Sequence, residues 1–213
     1  MRKLLFISVM IWCGFTAAAQ DQFIVDANAQ LRKLNGSFSK IKISHAFKVV
    51  ITQADTESLA VSSNDEKYMD DIITELEGST LNIRSKNNSW TGKRNRQLKV
   101  YISFKKLEAI EISGASDVIG IGTIKQSSVK VEVSGASSLK GQFETGTLSV
   151  DLSGASQVNL KGSTEVLKAE CSGASDMNAY DLTAELADLD VSGASDIEIN
   201  VNKEIKAEAS GAS

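Results

Sequence analysis

The chain has 213 residues, a hydrophobic content of 42% and a formal net charge of −4, with no proline and two cysteines. This size allows one large or two small packed domains, and two cysteines exclude a disulfide-rich scaffold. Residues 20–106 carry 14 Lys and Arg against 10 Asp and Glu (net +4), whereas residues 107–213 carry 7 against 17 (net −10). The acidic half is unsuited to nucleic acid, which requires a basic surface.

Residues 1–19 have the pattern of a secretory signal peptide. Arg2 and Lys3 precede an apolar run over Leu4–Phe15, which is too short to span a bilayer, and Ala17 and Ala19 supply the small residues of a cleavage site. We therefore expect export through the inner membrane to the periplasm, the outer surface or the medium. The mature chain then has a single cysteine and no second long apolar stretch, so we expect no transmembrane segment.

Residues 20–106 are predicted to form a small β-rich N-terminal unit. Alternating apolar residues and turn signals predict strands. The predicted strands are Phe38–Ser44, Phe47–Gln53, Ser58–Ser62, Ile72–Glu77, Thr80–Ser85 and Gln97–Phe104. Asn64 or Asp65 is placed to cap a short helical turn between the third and fourth of these strands.

A polar loop over Asn87–Gln97 is the first candidate for partner binding. It combines one aromatic with three basic side chains, a set that could hold an acidic polymer or an anionic glycan; these are Trp90, Lys93, Arg94 and Arg96. The alternative is a solvated hairpin tip. His45, the only histidine, has no visible nucleophile or metal-ligand partner, so we expect it to be structural.

The second half is built on a repeated tetrapeptide, Ser-Gly-Ala-Ser. Its six copies are Ser113–Ser116, Ser134–Ser137, Ser153–Ser156, Ser172–Ser175, Ser192–Ser195 and Ser210–Ser213. Successive copies start 21, 19, 19, 20 and 18 residues apart. A near-constant period of this length is typical of a solenoid, in which each coil buries its apolar face against its neighbours.

Apolar residues recur at period two on both sides of every copy, which predicts strands. The leucine-asparagine scaffold of leucine-rich repeats is missing, and a propeller blade needs about twice the residues. We therefore predict an all-β fold, a right-handed parallel β-helix with coils of ~20 residues over residues 107–213. Because the chain ends inside the sixth motif, we expect truncation at the C-terminus, since a solenoid end needs a cap.

The glycines of the motif form one column, which predicts a structural corner in every coil. A recurring glycine suits a backbone with positive φ or no room for a Cβ atom. The column comprises Gly114, Gly135, Gly154, Gly173, Gly193 and Gly211. Unbroken alternation would point the glycine and the second serine inward, whereas a corner would point the alanine inward. The sequence leaves both open, and we favour the corner.

An acidic residue stands two positions before every motif, and alternation places it on the outer face. These residues are Glu111, Glu132, Asp151, Glu170, Asp190 and Glu208, and three further carboxylates follow motifs at Asp117, Asp176 and Asp196. Stacked like charges repel, and Lys130, Lys168 and Lys206 can partly neutralise them.

Two hypotheses fit these acidic columns. One is a weak Ca²⁺ site, because Ca²⁺ takes carboxylate oxygens. The other is a solvated face that resists edge-to-edge pairing. The Gly-Gly-x-Gly-x-Asp repeat of calcium-dependent β-rolls is absent, so we expect no resident cofactor.

Catalysis is not indicated by the repeats. They contain no His or Arg, and the regularity of their carboxylates favours architecture over a positioned acid and base. Cys171 lies in an inward apolar column, so we expect a buried, unreactive thiol. The alternative function is a glycan-binding module or an enzyme acting on polysaccharide.

These features resemble a known family, the secreted putative autotransporter adhesins with a head GIN domain. The resemblance rests on Phe47–Gln53, on Tyr101–Glu111 and on the repeated Ser-Gly-Ala-Ser-Asp. It implies a β-rich fold with a parallel β-helix, a place in the bacterial envelope and no catalytic residues. We therefore expect an exported, non-catalytic adhesion or interaction module, whose partner would be an envelope glycan or a surface protein.

Overall fold

The computed structural model describes residues 26–86 and 96–213, whose strands join in one 13-stranded sheet. The N-terminal strands are β1 (Gln30–Leu31), β2 (Lys40–Ile43), β3 (Lys48–Gln53), β4 (Ser58–Ser63), β5 (Ile72–Glu77), β6 (Thr80–Ser85), β7 (Leu98–Phe104) and β8 (Ala109–Ile112). The long strands are β9 (Asp117–Val133), β10 (Ser138–Leu152), β11 (Gln157–Cys171), β12 (Asp176–Val191) and β13 (Asp196–Ala209). A 3-10 helix spans Glu66–Asp71, and its N-cap, Asp65, accepts from the Lys67 backbone N–H.

The long strands stack as the coils of a β-solenoid. Strands β9 to β13 pair in parallel, each with the next, and the sheet passes around about five turns. From β9 to β12 the apolar columns face inward and are almost completely buried; Val131, Val150 and Ala169, for example, are at most 2% exposed. In β13 the corresponding Ala207 and Ala209 are exposed. The predicted all-β solenoid fold is confirmed. Within the described residues no helix is long and apolar enough to cross a membrane.

A coil of the same shape precedes the six motifs. Strands β2 and β3 pair in parallel with β8 and β9, so that Ile43 aligns with Ile112 and Val49 with Val118. Strands β6 and β7 add a further parallel layer on the other side of β2 and β3. The coil stack therefore includes residues on both sides of the predicted boundary between residues 106 and 107.

The Ser-Gly-Ala-Ser motifs form the corners between successive coils. The six glycines have φ between +76° and +86°. A Cβ atom built on Gly154 would lie 2.7 Å from the carbonyl oxygen of Gly135, one coil earlier. The same oxygen accepts a hydrogen bond of 2.8 Å from the Ala155 N–H. The predicted corner is therefore present, and it requires glycine both for its φ and for its close stacking.

The side chain that points inward at the corner is the second serine, so the expectation of an inward alanine was wrong. Ser116 is 0% exposed, whereas Ala115 is exposed. The Ser116 hydroxyl donates to the His45 carbonyl (3.1 Å) and accepts from the Phe47 N–H (3.2 Å). A hydroxyl satisfies backbone groups that the corner leaves unpaired, which a methyl group cannot do.

Candidate functional site

The six carboxylates that precede the motifs form a continuous row along the solenoid, here called the acidic ladder. Its members are in register from coil to coil: Glu111, Glu132, Asp151, Glu170, Asp190 and Glu208. Neighbouring strands lie ~4.8 Å apart, so this row carries one carboxylate per ~4.8 Å on the outer face. Such a spacing concentrates negative charge on one line of the surface.

Five members of the acidic ladder, all except Glu208, line an open groove with a volume of about 420 Å³. The lining also includes the first serines of four motifs: Ser134, Ser153, Ser172 and Ser192. The Ser134 and Ser172 hydroxyls donate to carbonyls of the preceding coil, at 3.4 and 3.3 Å. The groove therefore presents carboxylates and hydroxyls on a wall held rigidly by the sheet.

Lysines neutralise the two ends of the acidic ladder. Lys42 aligns with Glu111 and contacts it at 2.6 Å. In the coil that precedes the first motif, the side chain at this position of the row is therefore positively charged. Lys130 lies 3.1 Å from Asp151 and also pairs with Glu132. Its hydrogen bonds to Glu132 and then Asp151 raise the pKa of the Lys130 ammonium. At the other end Lys206 contacts Glu208 at 3.3 Å.

The centre of the acidic ladder is not neutralised. Glu170 and Asp190 are exposed and form no ion pair with any described residue. Lys168, which the sequence suggested as a neutralising group, forms no ion pair with the described part of the chain either, although Lys130 and Lys206 do. The groove therefore contains two carboxylates, one on β11 and one on β12, whose charge is not offset by an ion pair with a described residue.

The second set of carboxylates lies on the strands that follow the corners. Asp117 accepts from the Ser138 hydroxyl (2.8 Å), Asp176 accepts from the Gln157 amide (3.1 Å), and Asp196 aligns with Asp176. Across residues 26–86 and 96–213, no group of three or more His, Cys, Asp or Glu side chains is arranged to hold a metal ion. Calcium binding by either acidic set stays a prediction, without a preformed site to support it.

The predicted basic loop is only partly described. Trp90, Lys93 and Arg94 lie outside the described residues. Arg96 contacts Asp71 at 2.9 Å, and the two side chains are 13% and 11% exposed. This side chain therefore anchors the base of the loop to the 3-10 helix, which leaves little of its guanidinium available to a partner.

Cys171 faces the core, as predicted. It is 1% exposed, and burial, followed by the charges of Asp151 and Asp176, raises the pKa of its thiol to about 12. A thiol with that pKa is protonated at neutral pH and is a poor nucleophile. The thiol behind the groove therefore offers no covalent chemistry.

Sequence reasoning missed the positions of two residues, one at the corners and one in the row of the acidic ladder. His45 occupies the corner position of glycine, with φ +81°, and Lys42 occupies the position of the ladder carboxylate. The signal was present, because Ile41–Val49 (IKISHAFKV) matches Ile110–Val118 (IEISGASDV) at five of nine positions. Requiring an intact Ser-Gly-Ala-Ser motif concealed this earlier coil.

Comparisons with known proteins agree with this architecture. Residues 37–213 match the family model described as "Putative auto-transporter adhesin, head GIN domain". A putative adhesin from Bacteroides fragilis is 20% identical with a TM-score of 0.78, covering 85% of this chain and 83% of that chain. A putative lipid binding protein from Parabacteroides distasonis is 19% identical, with a TM-score of 0.56. A putative adhesin from Parabacteroides merdae is 14% identical, also with a TM-score of 0.56. Each of these two alignments covers 86% of this chain and 95% of the other chain. At these identities the structures show a shared fold alone. No curated protein matches the chain.

Proposed function

The chain belongs to the family of putative auto-transporter adhesins with a head GIN domain, and on that premise we propose that it is an exported, non-catalytic surface protein that serves as an adhesion or interaction module. The observation that carries the proposal is the groove along the acidic ladder. A rigid row of carboxylates and hydroxyls is suited to repeated contacts with an extended partner. The partner that suits it best carries positive charge, because Glu170 and Asp190 are unpaired at its centre.

The groove supports binding rather than turnover. Its lining contains carboxylates, serines, aliphatic side chains and Cys171, with no His, Arg or Lys. General acid and base catalysis needs groups in different environments, whereas these carboxylates repeat in equivalent positions. With the thiol pKa near 12, Cys171 does not supply a nucleophile.

Glycan binding is the second candidate function. The groove combines carboxylates with serine hydroxyls, which can hydrogen-bond the hydroxyls of a sugar. An amine-bearing polysaccharide would be both a glycan and a positively charged partner. An enzyme acting on polysaccharide is the least supported of these alternatives.

A binding panel with matched charge variants tests the proposal. The full chain is titrated with a lysine homopolymer and with amine-bearing, neutral and acidic polysaccharides, and cleavage products are measured separately. We expect saturable binding to the amine-bearing members, reduced about tenfold by Glu170→Gln/Asp190→Asn, an effect of roughly 1.4 kcal/mol. The control, Glu165→Gln/Asp181→Asn, removes the same charge from the same two strands outside the groove.

Three outcomes decide between the candidates. An equal loss of binding in both double variants would reject the groove as the contact surface. Binding to neutral polysaccharide that survives high salt would favour the glycan-binding function, since exposed charge interactions are screened. Turnover abolished by one carboxylate substitution would identify an enzyme.

A further inference from the structure

The segment between β1 and β2 contains the one Asn-Gly dipeptide of the sequence, Asn35-Gly36. Both residues are exposed, and they lie outside the strands and the 3-10 helix. Neither the Asn35 side chain nor the Gly36 N–H forms a hydrogen bond with the described part of the chain. The side-chain amide and the backbone nitrogen that follows it are therefore both open to water and free to react with each other.

The fold itself favours glycine at position 36. Gly36 has φ +146°, a conformation that residues with a side chain rarely adopt. A Cβ atom added there would lie 3.0 Å from Cδ2 of Leu76 in β5. The residue that suits this segment is thus also the residue whose backbone nitrogen is least shielded, because glycine has no side chain to hinder its attack on the preceding amide.

The other described asparagines are held in place. Asn28 donates to the Ser63 carbonyl (2.8 Å), and Asn64 accepts from the Gln97 N–H (2.9 Å). The remaining ones lie in β-strands, whose extended backbone is fixed by pairing; these are Asn82, Asn159, Asn178, Asn200 and Asn202. Within residues 26–86 and 96–213, Asn35 is therefore the only asparagine whose reacting groups are free outside a strand.

From these observations we propose that Asn35 is a site of spontaneous deamidation, which converts it in the folded protein to aspartate and isoaspartate. The Gly36 nitrogen gives its proton to water and forms a bond to Cγ of Asn35. The bond from Cγ to Nδ2 then breaks, and the amide nitrogen leaves as ammonia. The product is a five-membered succinimide that includes the backbone nitrogen of Gly36.

Water completes the reaction by opening this ring at one of two bonds. Breaking the bond between the Gly36 nitrogen and Cγ gives aspartate. Breaking the bond between that nitrogen and the backbone carbonyl carbon of residue 35 gives isoaspartate, in which the main chain passes through the former side chain. The net change is the loss of one ammonia and the gain of one water, so the reaction needs no enzyme or oxidant. This inference does not depend on the proposed function of the groove.

Isoaspartate lengthens the main chain by one carbon atom beside packed contacts. Leu34 is half-buried against the core, and Gly36 lies against Leu76. Just before them, the Arg32 N–H donates to the Leu59 carbonyl (2.8 Å), which continues the pairing of β1 with β4. The additional atom must displace at least one of these contacts. We therefore expect the isoaspartate form to open more readily along residues 30–34.

The rate of deamidation in the full chain tests the proposal. The folded protein and a free peptide of residues 31–38 are incubated together at mildly alkaline pH, and the products are measured by peptide mapping and mass spectrometry. We expect Asn35 to react first among the described asparagines. Its rate should lie within about tenfold of the peptide rate, a difference of less than ~1.4 kcal/mol in the barrier. A folded chain that reacts more slowly than this would overturn the proposal, because the structure would then protect Asn35.

Hydroxylamine provides a second readout, because it attacks the succinimide and cleaves the chain between residues 35 and 36. The unsubstituted chain should give a fragment that begins at Gly36. Asn35→Gln should not, since a glutamine would have to close a less favourable six-membered ring. The matched control, Asn28→Gln, replaces a hydrogen-bonded asparagine of the same segment and should be cleaved like the unsubstituted chain. Equal cleavage of the Asn35→Gln variant, or no cleavage of the unsubstituted chain, would reject the assignment.

Hydrogen exchange tests the structural consequence. Amides of residues 30–34 should exchange about tenfold faster in the isoaspartate form than in the unmodified chain, equivalent to ~1.4 kcal/mol of local stability. Asn35→Asp adds the same charge without the additional backbone atom, so its exchange should match that of the unmodified chain. Equal protection in the isoaspartate form would refute the opening of this segment, and equally fast exchange in Asn35→Asp would attribute it to charge instead.

Discussion

Substituting one corner glycine tests why the tetrapeptide is repeated. Gly154 has φ +76°, and a Cβ atom added there would lie 2.7 Å from the Gly135 carbonyl oxygen. Contacts below 3.0 Å are essentially never made by real Cβ atoms. The clashing oxygen belongs to the backbone, so no side-chain rotation can relieve the contact. Gly154→Ala must therefore separate two coils or change the corner conformation.

The expected loss of stability has two parts. A left-handed conformation costs an alanine about 1–2 kcal/mol. Separating the coils weakens the Ala155 N–H to Gly135 hydrogen bond (2.8 Å), which contributes about 1 kcal/mol. We therefore expect Gly154→Ala to lower the free energy of unfolding by about 2–3 kcal/mol.

Urea unfolding monitored by circular dichroism measures this loss, and Gly122→Ala is its matched control. Gly122 has nearly the same φ, +74°, but no atom lies within 4 Å of its added Cβ. The control should lose only the conformational part, about 1–2 kcal/mol. If both variants lose the same free energy, the close stacking of the corners does not explain the glycine column.

Three further predictions concern single side chains. His45→Gly should raise the free energy of unfolding by about 1 kcal/mol, because glycine adopts the positive φ of this corner without strain, whereas His45→Ala should lower that free energy. If urea unfolding shows the alanine variant to be the more stable of the two, the corner assignment is contradicted. In a Cys13→Ser background, Cys171 should react with a thiol reagent only as fast as the protein unfolds, because its thiol is buried with a pKa of about 12. Rapid stoichiometric labelling of the folded chain would disprove this prediction. Arg96→Ala should lower the melting temperature, with a cost of about 2 kcal/mol, because it removes one charge partner of the nearly buried Asp71. An unchanged melting temperature would return Arg96 to the candidate binding residues.

Much of the fold could be predicted from the sequence because a solenoid is quasi-one-dimensional. Each coil contacts only its neighbours, so the alternation around each motif defines strands, inner face and stacking without distant contacts. The positions of Val131, Val150 and Cys171 on the inner face follow from period two alone. The glycine column likewise indicated a corner, because a positive φ at a fixed position favours glycine.

The candidate site was predictable in its residues and not in its charge balance. The sequence showed a carboxylate before each motif, but ion pairs depend on rotamers and on alignment between coils. Lys130 contacts two ladder carboxylates, whereas Lys168, in an equivalent position, forms no ion pair with the described residues. Only the three-dimensional arrangement identifies Glu170 and Asp190 as the unpaired centre.

The sequence by itself determined the repeat, its apolar columns, its corners and its family, because these are periodic and local. Only the tertiary structure decided how the irregular segments before the first motif pack against the repeated coils. Lys42 and His45 belong to a coil far along the chain from the first motif, and parallel pairing places them beside Glu111 and Gly114. Which serine of the corner is buried also depends on the adjacent coil, whose backbone groups its hydroxyl satisfies.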